Sequence, residues 1–382
     1  MTPDRRTLFA LFSFAFGLRV LYAVLFGGNP DVIAIHETYA YRIAAQMAAG
    51  WDWLKAPFSP NAPGYLLALS TIFRVTGPSW WAAVLFNATL GAITTGFLYR
   101  IGEKRLAPRV GLLSGLWLGA FVSQMHFSSL ALREVLTTFL LVWLAYTLVR
   151  PFDRMRSAVW TGILYLALVQ TEPSFLLLLP LLVVFLGLRA THHRTMNAQY
   201  LFLFVATVFV LNTPWMVRNY IVHRAFIPIS LEATRYTNPM TQLFQSEPER
   251  AGLPEGATVR PKPGFLRNEI EYWRFARFAD APAIPGRGVK EQPAWSLRHN
   301  TAAILNFGIL LPFFVAGGVI AWRRRHRAAL VLTCIVLSHA ILRGFVGSGE
   351  GTRLPVEPLV ILIAFYGLRQ LLEMRRAAGG SG

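Results

Sequence analysis

The chain has 382 residues, of which 54% are hydrophobic, 13% aromatic and only 15% charged, well under the roughly one quarter charged residues of a soluble domain. Its formal net charge of +18 sits in short basic clusters between apolar runs, which is the pattern of membrane loops and argues against a nucleic-acid surface. Cys334 is the single cysteine, so an intrachain disulfide and a cysteine-based metal site are excluded.

The N-terminus reads "MTPDRR", then runs apolar from Thr7 to Phe26 except for Arg19. The run is long and lacks a small-residue cleavage pattern, so it is expected to be an uncleaved first span. Further apolar segments lie near 64–77, 79–99, 110–126, 134–149, 157–171, 174–188, 198–213, 300–321, 328–342 and 354–372. Segment 64–77 is short, contains Arg74, and is bracketed by "NAPGY" and "TGPSWW". It is expected to be a juxtamembrane helix in the outer interface rather than a span.

Basic loops then set the orientation. Arg5 and Arg6 place the N-terminus in the cytoplasm. With 64–77 kept out of the span count, the clusters Arg100–Arg109, Arg150/Arg154/Arg156, Arg189/Arg194, Arg323–Arg327 and Arg375/Arg376 all fall inside as well. The expectation is an all-α polytopic membrane protein of ten spans with both termini cytoplasmic. Residues 1–213 form an N-terminal transmembrane module whose first outer loop is 28–78. Residues 214–298 form an extracytoplasmic loop region, 299–378 hold the C-terminal transmembrane helices, and "GGSG" at 379–382 reads as an added linker.

The less apolar sequence collects on the outer side. In "HETYAYRIAAQMAAG", Tyr39, Ile43 and Met47 recur every fourth residue while Thr38, Arg42 and Gln46 share another face. That suits a helix lying flat on the membrane and presenting Glu37 near a lipid headgroup. Glu37 and His36 also fit a plain solvated helix start, where an acid favours the N-terminal dipole. Arg133 and Glu134 sit at the outer edge of a span, facing a cavity or pairing locally. Glu172, before Pro173, suits a helix N-terminus or the same outer site. "NTPWMVRNYIVHRAFIPIS" offers Arg218, and "GEGTRLPVEP" offers Arg353, either as phosphate ligands or as interface anchors. "RNEIEYWRFARFAD", 267–280, is the best helix of the long loop. No glycine-rich phosphate loop, HExxH pattern or G-x-S-x-G elbow occurs.

Four of these stretches carry a resemblance. "HETYAYRIAAQMAAG" with "NAPGYLLALSTIFRVTG", "LALREVLTTFLLVWLAY", "NTPWMVRNYIVHRAFIPIS" and "TRLPVEPLVILIAFYGL" are similar, in order and spacing, to the GT-C membrane glycosyltransferases. The match is to the bacterial branch that resembles protein O-mannosyltransferases and the lipid A aminoarabinose transferase. The resemblance implies a GT-C-like fold with outward juxtamembrane helices, in the inner membrane of a bacterium. It implies inverting transfer of a sugar from a polyprenyl-phosphate donor to a protein, lipid or glycan acceptor on the extracytoplasmic face.

It also implies no obligatory cofactor or metal. The implied catalytic residues are Glu37, His36 and Glu134. Asp31, Tyr41, Arg133, Glu172, Arg218 and Arg353 are implied to bind substrate. The sequence departs at His36, where the family carries an Asp as general base; Glu37, Asp31 or His36 itself stands in that role. A non-catalytic scaffold of the same shape and a lipid or solute transporter are the other classes open to this sequence.

Overall fold

The computed structural model describes residues 3–26, 39–50, 62–150, 155–189, 194–224, 226–230, 273, 304–346 and 353–379. Regular structure among them is entirely helical: α1 (Pro3–Phe26), α2 (Tyr39–Ala48), α3 (Gly64–Thr76), α4 (Trp80–Ile101), α5 (Val110–Gly119), α6 (Val122–Ser128), α7 (Glu134–Val149), α8 (Met155–Thr171), α9 (Leu179–Arg189), α10 (Arg194–His223), α11 (Leu310–Arg323), α12 (Arg327–Val346) and α13 (Glu357–Gly379). Short 3₁₀ turns at Pro173–Leu178 and Leu354–Val356 lead into α9 and α13, and π turns lie at Gly102–Leu106 and Ile304–Gly308.

Among the described residues, four helices are long and apolar enough to cross a bilayer alone: Asp4–Leu25, Trp80–Leu106, Ala198–Val222 and Leu354–Ala378. The bent pair α5–α6 makes a fifth candidate, and Glu134–Val149, Pro173–Leu186, Leu310–Arg323 and Arg327–Ile341 are shorter apolar helices. The protein is a multi-pass membrane protein.

Burial follows from pattern. Residues Leu359–Ile363 of α13 are apolar on every side and fully buried, as expected of a helix at the centre of a bundle. Segment 64–77 forms α3 at 13 residues, about 20 Å long and short of a hydrocarbon core of roughly 30 Å. Its buried stripe Tyr65, Leu69, Phe73 and Leu66, Ser70 has helical spacing and packs it against α2, α4 and α8. On α2, Arg42 and Gln46 are exposed while Ala44 and Met47 are buried, and Met47 packs on Leu66.

Two segments depart from the expected straight spans. The run 110–126 is broken into α5 and α6, bent by 52°. Breaking a helix in hydrocarbon strands backbone carbonyls that no water can reach. Arg19 meets them. It is 1% exposed, and its guanidinium donates to Ala15 O at 2.9 Å, Leu118 O at 3.4 Å and Gly119 O at 3.5 Å. Gly91 of α4 makes the room: a Cβ there would lie 2.4 Å from Arg19 Nε.

The second departure is α10, which continues to His223 through Pro214 instead of ending at 213. Side chains of its last turns bind the returning chain. Asn212 donates to Pro228 O, Trp215 to Ile229 O, and Asn219 to Ile227 O and Ile229 O. Those tertiary bonds outweigh the hydrogen bond that proline removes.

Arg19→Leu removes the guanidinium donors at the α5–α6 break: Gly119 O loses its bond to Arg19, and Leu118 O keeps only backbone donors such as Phe121 N. The expected loss is ~1–3 kcal/mol, read as a lowered unfolding midpoint of the detergent-solubilised protein. An unchanged midpoint would mean that the break needs no capping.

Candidate active site

The first turn of α7, the turn between α8 and the following 3₁₀ segment, and the last turn of α12 meet at one end of the bundle. The 3₁₀ turn forms because Pro173 occupies its first position, where a missing N–H costs nothing. Glu172 is buried just before it, 7% exposed. Its carboxylate accepts from Arg133 Nε at 3.1 Å through Oε2, and from Arg343 Nη2 at 3.1 Å and Ser174 Oγ at 2.8 Å through Oε1. Arg343 also donates to Ser174 Oγ at 3.1 Å. One turn back on α12, His339 is buried and stacks on Phe175, with ring centres 4.8 Å apart.

Burial by itself raises the Glu172 carboxyl, but Arg133 and Arg343, helped by the Ser174 hydroxyl, hold it below the ordinary carboxylate range. A carboxylate so held is a weak base with its lone pairs already engaged. Glu134 differs. It interacts electrostatically with Arg133, Glu172 and Arg343, yet among the described residues its Oε2 is buried without a hydrogen-bond partner. It opens α7, where the helix dipole favours a negative charge. Of the two acids, Glu134 therefore retains a free acceptor atom.

The helix α3 is docked against this end. Gly64 permits the contact, since a Cβ there would meet Thr171 Oγ1 at 2.5 Å and Gln170 O at 2.8 Å. Asn87 of α4, fully buried, donates to Leu130 O at 2.6 Å and Tyr65 Oη at 3.4 Å. That bond joins α3 to the turn that leads into Arg133 and Glu134, and Tyr65 lies within electrostatic reach of Glu134.

The described contacts thus bring together Arg133, Glu134 and Glu172. The others make different contacts. Arg353 is buried, pairs with Glu357 at 3.3 Å and stacks over the Phe307 ring at 3.6 Å. Glu357 in turn accepts from Ser123 at 2.8 Å and Gln124 at 3.4 Å. Arg218, also buried, donates to Asn219 Oδ1 at 2.9 Å and lies over Trp215. Tyr41 packs edge-on against Phe73. Asp31, His36 and Glu37 lie outside the described residues, as do the predicted helix 267–280 apart from Trp273 and most of the loop 214–298. Among the described residues, no three His, Cys, Asp or Glu side chains gather as metal ligands.

Arg343 and His339 were missed in the sequence. The signal was present: a His and an Arg at i and i+4 near the end of an apolar helix, where ionisable groups seek a partner.

This arrangement of helices recurs in solved structures. ArnT from Cupriavidus metallidurans in the apo state superposes with a TM-score of 0.56 at 16% identity, over 86% of this chain and 54% of that one. The apo oligosaccharyltransferase of Archaeoglobus fulgidus superposes with 0.59 at 14% identity, over 99% and 52%.

The chain has the GT-C fold.

A second ArnT structure, bound to undecaprenyl phosphate, matches this chain with a TM-score of 0.55 at 15% identity, over 89% of it and 58% of the ArnT chain. The chain spans about half the length of the structures it matches. Residues 59–217 also match the family model described as dolichyl-phosphate-mannose-protein mannosyltransferase. That stretch holds α3, Arg133, Glu134 and Glu172, and ends beside Arg218. No curated protein sequence matches the chain.

Glu172→Gln takes from Arg133 and Arg343 the carboxylate to which both are bonded. Breaking one partner out of a buried pair costs ~3–5 kcal/mol, which thermal unfolding in detergent should register. The pH profile has a definite sign. The folded carboxyl titrates below the unfolded value of about 4.3, so its contribution is complete above that pH. It is lost as pH falls through the folded value. Acid titration should lower the wild-type midpoint in that window, and the Gln variant should lack this component.

Proposed function

We propose that this protein transfers a sugar from a polyprenyl-phosphate donor to an acceptor on the extracytoplasmic face of the membrane, with inversion at the anomeric carbon. One observation carries the reading: within a GT-C fold, two acids and two arginines converge at a single end of the bundle, and one acid, Glu134, keeps an unpartnered carboxylate oxygen. Sugar donors on that side of a membrane must arrive attached to lipid, because nucleotide sugars stay in the cytoplasm. The match of residues 59–217 to a family named for a lipid-phosphate sugar donor, and a neighbour captured with undecaprenyl phosphate, support a donor of this class.

The chemistry needs three things. The acceptor hydroxyl or amine needs a base within about 3 Å of its proton. The leaving polyprenyl phosphate needs cationic donors as negative charge returns to it. The donor needs a fixed orientation, so that displacement runs from the opposite face.

Glu37, with His36 beside it, is assigned the base. These residues precede α2, which reaches Glu134 through α3. Glu134 orients donor or acceptor by its free oxygen. Arg133 and Arg343 offset part of the repulsion between Glu134 and Glu172. Arg353 and Arg218, with Asp31 and Tyr41, are assigned to the donor headgroup. Arg353 would have to exchange its bond to Glu357 for one to phosphate. The topology follows the positive-inside pattern: ten spans, with both termini in the cytoplasm and the Glu134 end outside, in the inner membrane of a bacterium.

The test is transfer from polyprenyl-phosphate sugars in liposomes. Glu134→Gln and Glu37→Gln should each lower kcat by about 10²-fold or more, with donor binding retained. His36→Ala should shift the pH profile if His36 shares the proton. Full activity in all three variants would overturn the assignment. Donor binding without turnover by the wild type would instead mark a GT-C scaffold whose base was lost at His36.

A further inference from the structure

The opposite end of the bundle carries a second site. α7 is 16 residues long, so its last residues lie about 22 Å from Glu134. There a cavity of about 600 Å³ opens between the π turn Gly102–Leu106, the end of α7, α9 and the first turn of α12. This volume is within the range of small-molecule and headgroup sites, roughly 300–1,000 Å³.

Its lining divides by chemistry. Lys104, Arg105 and Arg327 supply cations, while Leu148, Phe185 and Val331 are among the apolar wall residues. Among the described residues, no carboxylate lines it. The nearest acid in sequence, Glu103, is turned to the start of α5, where its two oxygens accept from Arg109 N and Leu112 N at 3.1 Å each. Lys104 pairs with Asp4 at 3.4 Å across an exposed surface, a contact of little strength. The side chains of Arg105 and Arg327 make no hydrogen bond or ion pair among the described residues.

The backbone is specialised here too. The chain widens into a π turn, with Ala107 N bonded to Gly102 O at 3.1 Å, and such turns are enriched at functional sites. It places Lys104 and Arg105 at the rim. An apolar row then leaves the cavity along α12. Leu330 lines the cavity, and Cys334, Leu337 (43% exposed) and Ile341 (51% exposed) continue from it at helical spacing. Two unpaired guanidiniums at the membrane edge and an uncovered hydrocarbon track beside them fit one kind of molecule.

We infer that this cavity binds an anionic phospholipid, its phosphodiester held by Arg105 and Arg327 and its acyl chains lying along α12. Guanidinium–phosphate contacts are bidentate and charge-assisted, and basic pockets between transmembrane helices suit anionic headgroups. A zwitterionic lipid brings its own ammonium into a cluster that is already cationic and should bind less well. The inference does not depend on the sugar-transfer reading, because its residues are far from Glu134 and its readout is not activity.

The experiment uses the full chain in detergent, with phosphatidylglycerol, phosphatidylcholine of the same acyl chains, and inorganic phosphate added separately. Native mass spectrometry and the unfolding midpoint are the readouts. Phosphatidylglycerol should bind at least tenfold more tightly than phosphatidylcholine and raise the midpoint, and inorganic phosphate should do neither. Arg105→Gln/Arg327→Gln should lose at least tenfold of that binding, while Arg323→Gln, at an exposed position off the lining, should not. If the double variant fails to fold, wild-type binding measured against salt decides instead, since an ionic site weakens as screening rises. Equal binding of the two lipids overturns the inference. So does stabilisation by phosphate alone, or salt-independent binding.

Discussion

The ion network around Glu172 is the constraint on which the candidate site depends. A lone carboxylate or guanidinium in this interior would be untenable, so Glu172, Arg133 and Arg343 hold one another in place. Because the three residues come from different parts of the chain, their pairing fixes the start of α7, the turn after α8 and the end of α12 relative to one another. Glu134 is the next residue after Arg133 and inherits that fixed position. Beside this network of one carboxylate and two guanidiniums, an acid with a spare oxygen is a platform for orienting a polar substrate at the edge of hydrocarbon.

The same requirement recurs wherever this fold bends. Arg19 supplies donors to the carbonyls released at the α5–α6 break, and Glu357 gathers Arg353, Ser123 and Gln124 at the start of α13. These two irregularities in the apolar bundle carry their own polar partners, because the bilayer offers none. The basic end is organised otherwise. Among the described residues, Arg105 and Arg327 have no protein countercharge there, which is tolerable where water or a lipid headgroup can reach them.

Much of this was legible in the sequence. The apolar runs located the helices, although α10 runs on from 213 to His223 and the run 110–126 breaks in two, and the four-residue recurrence in 39–47 divided α2 into an exposed Arg42/Gln46 face and a buried Met47 face. The shortness and Arg74 of 64–77 anticipated the short helix α3. Glu134, Arg133 and Glu172 stood out because charged residues at the edge of an apolar run demand a reason. Arg343 was passed over although it too lies at the end of an apolar run; its pairing with Glu172, 171 residues away, leaves no sign in a single sequence. In "NTPWMVRNY", the arginine drew attention, whereas Asn212, Trp215 and Asn219 turn out to clamp the returning strand of chain. Arg353 and Glu357 stand four apart, and that spacing by itself foretells their pairing.

Local chemistry determined which segments are helical and apolar, where basic clusters fall, and which ionisable residues sit at the margins of the spans. Those properties depend on neighbours within a few positions, so the sequence by itself settled them. Which acid is neutralised and which keeps a free oxygen, which helix breaks around Arg19, and which cations are left unpaired were decided only in the tertiary structure. The reason is physical: a charge or a carbonyl in a medium of low polarity is governed by whatever donor or countercharge lies within about 3 Å, and the folded packing alone brings distant residues that close.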